Sequence, residues 1–114
     1  MNTKSPECWA SDPLARGLRI EISPEHTLVL PFEQFVFSEL ECDENEQRLT
    51  LTFATHKVVV RGVALRRIET ALQRMELSHL ARIPARYRPT VEDGQPCVRE
   101  IAVTESKAKE GQPA

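Results

Sequence analysis

The stretch Gly62-Val63-Ala64-Leu65-Arg66-Arg67-Ile68-Glu69-Thr70-Ala71-Leu72-Gln73-Arg74-Met75-Glu76 decides the fold, because here a strand-like alternation gives way to helical periodicity. At 100° per residue, Ala64, Leu65, Ile68, Ala71, Leu72 and Met75 fall within an arc of about 120°, the width of a stripe that packs on a sheet. Arg66, Arg67, Thr70, Gln73 and Arg74 fall on the other side. The helix predicted over residues 62–76 therefore covers a core with one face and presents three guanidinium groups on the other. Gly62, without a Cβ, is expected to let the chain leave the preceding strand sharply.

Upstream of the helix the sequence reads as a meander of about five short strands. Leu18, Ile20 and Ile22 alternate with Arg19 and Glu21, a period of two for a half-buried strand. Ser23-Pro24-Glu25 supplies a turn, and a second strand over residues 26–30 stops at Pro31, which has no N–H for a ladder. Residues 32–42 hold Phe32, Phe35 and Phe37, apolar on both faces at first and alternating later, so this strand is expected to begin buried and end at a rim. Cys42 falls on its inward side and is expected to be the least reactive thiol. After the polar turn Asp43-Glu44-Asn45-Glu46, Leu49, Leu51 and Phe53 alternate with Arg48, Thr50 and Thr52. A loop over residues 54–57 then returns Val58 and Val60 opposite Phe53 and Leu51. Connections this short require antiparallel neighbours.

Downstream of the helix, Ser78 is expected to cap a short helical turn through Ile83. Pro84 and Pro89 enforce an extended path, and residues 97–103 return as a strand. The ends lack periodicity. Residues 1–16 read as an irregular arm, 17–103 as a single α+β domain and 104–114 as a disordered tail. Trp9, the sole tryptophan, is expected to dock on the domain's own surface.

The fold class expected is α+β: an antiparallel sheet of five or six strands with one principal amphipathic helix after the fifth. The order of strands followed by a helix resembles pleckstrin-homology-like domains, and the resemblance implies a small half-barrel capped by the helix. A flat open sheet with one covered face is the alternative.

The 114 residues suit one core, and no apolar run is long enough to span a membrane as a helix. The N-terminal residues lack the apolar region of a secretory signal, so a cytoplasmic location is expected. Cys8, Cys42 and Cys97 are widely spaced and odd in number, which reads as free thiols. Gly-rich phosphate loops and nucleophile motifs are absent from the sequence, His56 has no visible carboxylate partner, His79 reads as a core or border histidine, and no metal or other cofactor is expected. Glu39, Glu41, Asp43, Glu44 and Glu46 read as solubilising charges that guard a sheet edge.

Charge is segregated. Residues 1–60 carry five basic and ten acidic side chains, residues 61–88 seven and two, and residues 89–114 three and five, within a net charge of −2. The candidate binding residues are Arg66, Arg67, Arg74, Arg82, Arg86, Tyr87 and Arg88. Arginine makes bidentate contacts with carboxylate and phosphate alike. The acidic pI of about 5.9 favours an acidic protein surface or a second copy of the chain over nucleic acid. A small non-catalytic interaction module is the expected function, with a nucleic-acid-associated protein as the alternative.

Overall fold

The computed structural model describes residues 7–106. In chain order these form β1 (Trp9–Ser11), β2 (Gly17–Ser23), β3 (His26–Pro31), β4 (Phe35–Cys42), β5 (Gln47–Phe53), β6 (His56–Val63), α1 (Arg66–Gln73), β7 (Leu77–Ala81) and β8 (Cys97–Glu105). Two four-stranded sheets result, one ordered β1-β7-β2-β3 and the other β4-β5-β6-β8. The mixture of sheet and a single amphipathic helix agrees with the α+β expectation. Strand number and topology do not: there are two sheets rather than one, and β7 and β8 follow the helix, so it does not close a pleckstrin-homology-like half-barrel.

The division between sheets falls where the chain cannot continue a ladder. Pro31 ends β3, the Phe32 N–H donates to the Arg16 carbonyl at 2.9 Å, and a 3₁₀ turn (Phe32–Gln34) carries the chain into the second sheet. Phe32, Phe35 and Phe53 fill this crossing, with ring centroids 5.3–6.5 Å apart. The register then shifts between Phe35 and Phe37, leaving Val36 and Phe37 60% and 49% exposed, so β4 does not begin buried on both faces. Both sheets contribute to one apolar core, with Leu18 and Ile20 from the first and Leu49, Leu51, Phe53, Val58 and Val60 from the second. Ile22 does not join Leu18 and Ile20, because a register shift between Glu21 and Ser23 turns it outward at the hairpin.

Several expectations are corrected by register and backbone geometry. Val58 and Val60 lie opposite Leu51 and Leu49, one pair further along than predicted. Gly62 lies inside β6 and is not the exit to the helix. A Cβ there would sit 2.0 Å from the Cys97 carbonyl oxygen, so its role is to admit the backbone of β8 at a bulge. The exit is Ala64, with φ of 57°. The helix is shorter than 62–76 because Met75 takes the left-handed conformation, φ 59°. Glu76 N–H then donates to the Ala71 carbonyl and Met75 N–H to that of Leu72, the paired bonds of a Schellman stop. Met75 consequently leaves the apolar stripe and is exposed, while Leu65, Ile68, Ala71 and Leu72 are buried.

Beyond that stop the chain is extended rather than helical. Residues 77–81 form β7, antiparallel to β1 and parallel to β2, so the sheet is mixed. Trp9 belongs to β1, not to an irregular arm, and packs against the domain's own core. Residues 85–90 form a 3₁₀ turn instead of an extended path. β8 runs to Glu105, so residues 104 and 105 belong to the sheet. The remaining expectations for the arm and the tail, residues 1–6 and 107–114, lie outside the described residues. All three cysteines are free, but Cys42 is the exposed one and Cys8 and Cys97 are buried, opposite to the sequence expectation. Burial pushes the Cys8 thiol above its ordinary range, and its Sγ donates to the Pro96 carbonyl at 3.4 Å.

Candidate docking cleft

The position of α1 is fixed at both ends. At its start, the Leu65 N–H donates to the Gln47 side-chain oxygen at 2.6 Å, so a residue of β5 satisfies a donor the helix itself cannot. At its end, the Schellman bonds and the Asp12 N–H to Glu76 carbonyl bond, 2.7 Å, tie the helix exit to the chain just after β1. Between these anchors, Ile68 and Leu72 are fully or almost fully buried, and the polar side of the helix runs beside β1.

An open cleft of about 290 Å³ separates the two elements. Trp9 and Ser11 form the β1 wall; Arg67, Thr70, Ala71 and Arg74 form the helix wall, with Glu76 at one end. Thr70 Oγ1 donates to the Arg66 carbonyl at 3.0 Å, which draws its hydroxyl back onto the helix. Arg67 makes a long hydrogen bond, 3.4 Å, to Gln95. Among the described residues neither Arg67 nor Arg74 has a carboxylate within ion-pair distance.

The seven residues singled out from the sequence do not form one patch. Arg67 and Arg74 share the cleft, whereas Arg66 turns to Glu69, 3.7 Å away. Arg82 is exposed after β7. Arg86 lies over the Tyr87 ring, 4.8 Å from its centroid, so these two side chains engage one another. Arg88 faces inward: Nε donates to the Ile83 carbonyl at 3.1 Å and Nη2 to that of Arg99 at 2.9 Å. That guanidinium holds the 3₁₀ turn against β8 and has a structural role. The opposite wall of the cleft is the part that sequence reasoning missed. Trp9 stands out in the sequence as the sole tryptophan, but a three-residue strand carries too little periodicity to place it beside a helix more than fifty residues away.

A second hollow, of about 310 Å³, lies at the β4–β5 turn. Three of its charged side chains are engaged locally. Glu41 pairs with Arg48, and Asp43 Oδ1 accepts from the Asn45 and Glu46 N–H groups. β4 is an edge strand, so the acidic residues stand where they guard a sheet edge. His56 bonds Thr55 through Nδ1 at 2.8 Å, and His79 is half-buried opposite Arg19 on β2. Among the described residues no group of three or more His, Cys, Asp or Glu side chains is placed to hold a metal ion, and no helix is long and apolar enough to cross a membrane.

No family model, curated protein or solved structure matches this chain.

Proposed function

We infer that the domain is a small cytoplasmic, non-catalytic interaction module, and that it takes an acidic protein segment in the cleft between β1 and α1. The observation that carries this reading is the pairing of a half-buried Trp9 with Arg67 and Arg74, two arginines that lack carboxylate partners among the described residues. Seven residues of helix separate the two arginines by about 10.5 Å along the axis. On an extended segment, carboxylates four residues apart share one face about 13 Å apart, within reach of two long arginine side chains, and the residue midway between them shares that face. An apolar side chain between them would cover the indole and Ala71, the combination of buried aromatic and arginine that dominates protein interfaces.

A nucleic-acid reading has one observation in its favour, since an indole beside two guanidinium groups also suits stacked bases and phosphates. The net charge of −2 and the pI of about 5.9 weigh against it.

Trp9, the sole tryptophan, makes the test direct, because its emission reports on the cleft itself. Titration with an acidic peptide carrying two glutamates that flank a leucine is expected to change the emission saturably, weakening with salt and vanishing in Arg67→Glu/Arg74→Glu. Titration with a single-stranded oligonucleotide is the competing arm. A saturable response to the oligonucleotide and none to the peptide overturns the acidic-protein reading.

A further inference from the structure

We propose that two copies of this chain pair as an antiparallel homodimer through the free edge of β8, with the two-fold axis at Ala102, so that the second sheet continues across the interface.

The sheet order leaves β8 with a neighbour, β6, on one side. Its backbone polarity can be read from the end of the ladder. The Ser106 N–H donates to the Thr55 carbonyl at 2.9 Å, one step beyond the His56–Glu105 pair. Antiparallel ladders alternate hydrogen-bonded and non-hydrogen-bonded pairs, so residues 100, 102, 104 and 106 turn their backbone groups to β6 while Ile101, Val103 and Glu105 turn theirs outward. Earlier in the strand the same edge is already filled. Val98 accepts from the Ile83 N–H at 2.8 Å and Arg99 from the Arg88 guanidinium at 2.9 Å. The open ladder therefore begins at residue 100, and among the described residues nothing bonds the outward groups of Ile101, Val103 or Glu105.

Only registers that place odd residues opposite odd residues satisfy those outward groups. With the axis at Ala102, Ile101 faces Val103 of the second copy and Val103 faces its Ile101. Both side chains are half-buried on the core side, so pairing completes their burial with β-branched partners. Because the Arg99 carbonyl is taken by Arg88, the paired ladder ends at residues 100 and 104, and just beyond it the exposed side chains of Arg99 and the second copy's Glu105 stand level, so two opposite-charge pairs flank the ladder. Ala102, the smallest side chain of this segment, occupies the axis, where a non-hydrogen-bonded pair brings the Cβ atoms closest. Moving the axis to Ile101 or Val103 sets a charged residue against an apolar one.

The other edges are less suited to pairing. β4 carries exposed Glu39 and Glu41 and leads into the acidic turn, β3 is bracketed by Pro24 and Pro31, and β1 has three residues. The proposal rests on β8 and is independent of the cleft.

Sedimentation over a micromolar to millimolar range tests it. The expected result is a concentration-dependent dimer. Glu105→Arg should weaken it about tenfold by setting like charges opposite, and adding Arg99→Glu should restore it. Ala102→Arg, on the exposed outer face, should abolish it, with circular dichroism reporting that the fold persists. Ala102→Cys in a Cys42→Ser background should form an intermolecular disulfide with oxidised glutathione, since a Cα separation near 4.5 Å falls within bridging range. A monomer throughout the range overturns the proposal. So does a dimer that ignores the charge swap or fails to cross-link through position 102; these two readouts decide the matter even where Ala102→Arg disturbs folding.

Discussion

Gly62 is the residue on which the second sheet depends most. Its missing Cβ is required by a backbone carbonyl, that of Cys97, and a carbonyl in a ladder cannot rotate aside as a side chain can. Gly62→Ala is expected to cost more than about 3 kcal/mol or to prevent folding, because the bulge joining β6 to β8 must open. Gly94 supplies the contrast. It has φ of +84° with nothing near its Cβ position, so Gly94→Ala meets only backbone strain of about 1–2 kcal/mol. Thermal or urea unfolding of the two variants should rank them in that order. Equal losses would show that the approach of β8 to Gly62 is looser than 2.0 Å implies.

At the scale of elements, α1 ends by a device that this sequence supplies without its usual residue. The position that glycine commonly fills is Met75, at φ 59°. A non-glycine residue there costs about 1–2 kcal/mol, against about 0.5–1 kcal/mol of extra unfolded-chain entropy for glycine. The methionine is 43% exposed and contributes little packing to offset the strain. Met75→Gly is expected to stabilise the domain by roughly 0.5–1 kcal/mol, read as a rise in melting temperature. A fall would mean that the exposed side chain makes contacts worth more than the strain. The same device explains what was legible in the sequence. The alternation of β5, that of β2 as far as Ile20, and the stripe Leu65, Ile68, Leu72 are periodic and emerge as predicted. The stop at Met75 is not, because no glycine or proline marks it, and the helical turn expected from Ser78 through Ile83 is instead strand β7, with Leu77 and Leu80 among its buried positions. In the candidate site, the helix wall was visible for the same reason that the β1 wall was not: eight residues of α1 carry a period, and the three of β1 do not.

For the whole molecule, the consequential contact is the insertion of β7 between β1 and β2, which joins the first two strands to one that follows the second sheet's first three strands and α1. No local pattern encodes it, and the parallel pairing of β7 with β2 depends on the chain having first passed through the second sheet and α1. Each sheet thus has a closed middle, β7 with β2 and β5 with β6, flanked by open edges. Amide exchange should follow that division. Central strands are expected to open only with global unfolding, and β3 and β4 by local fraying at lower free energy. Strand β8 should be distinctive. Its amides at residues 102 and 104 bond β6 and should be slow at any concentration, whereas those of Ile101 and Val103 face outward and should be fast in dilute solution, then slow as copies pair. Alternating protection that deepens with concentration is a signature that edge pairing produces and that nonspecific association, which shields neighbouring amides alike, does not. Uniform protection along β8, unchanged by concentration, would mean that the outward groups are already satisfied within one copy.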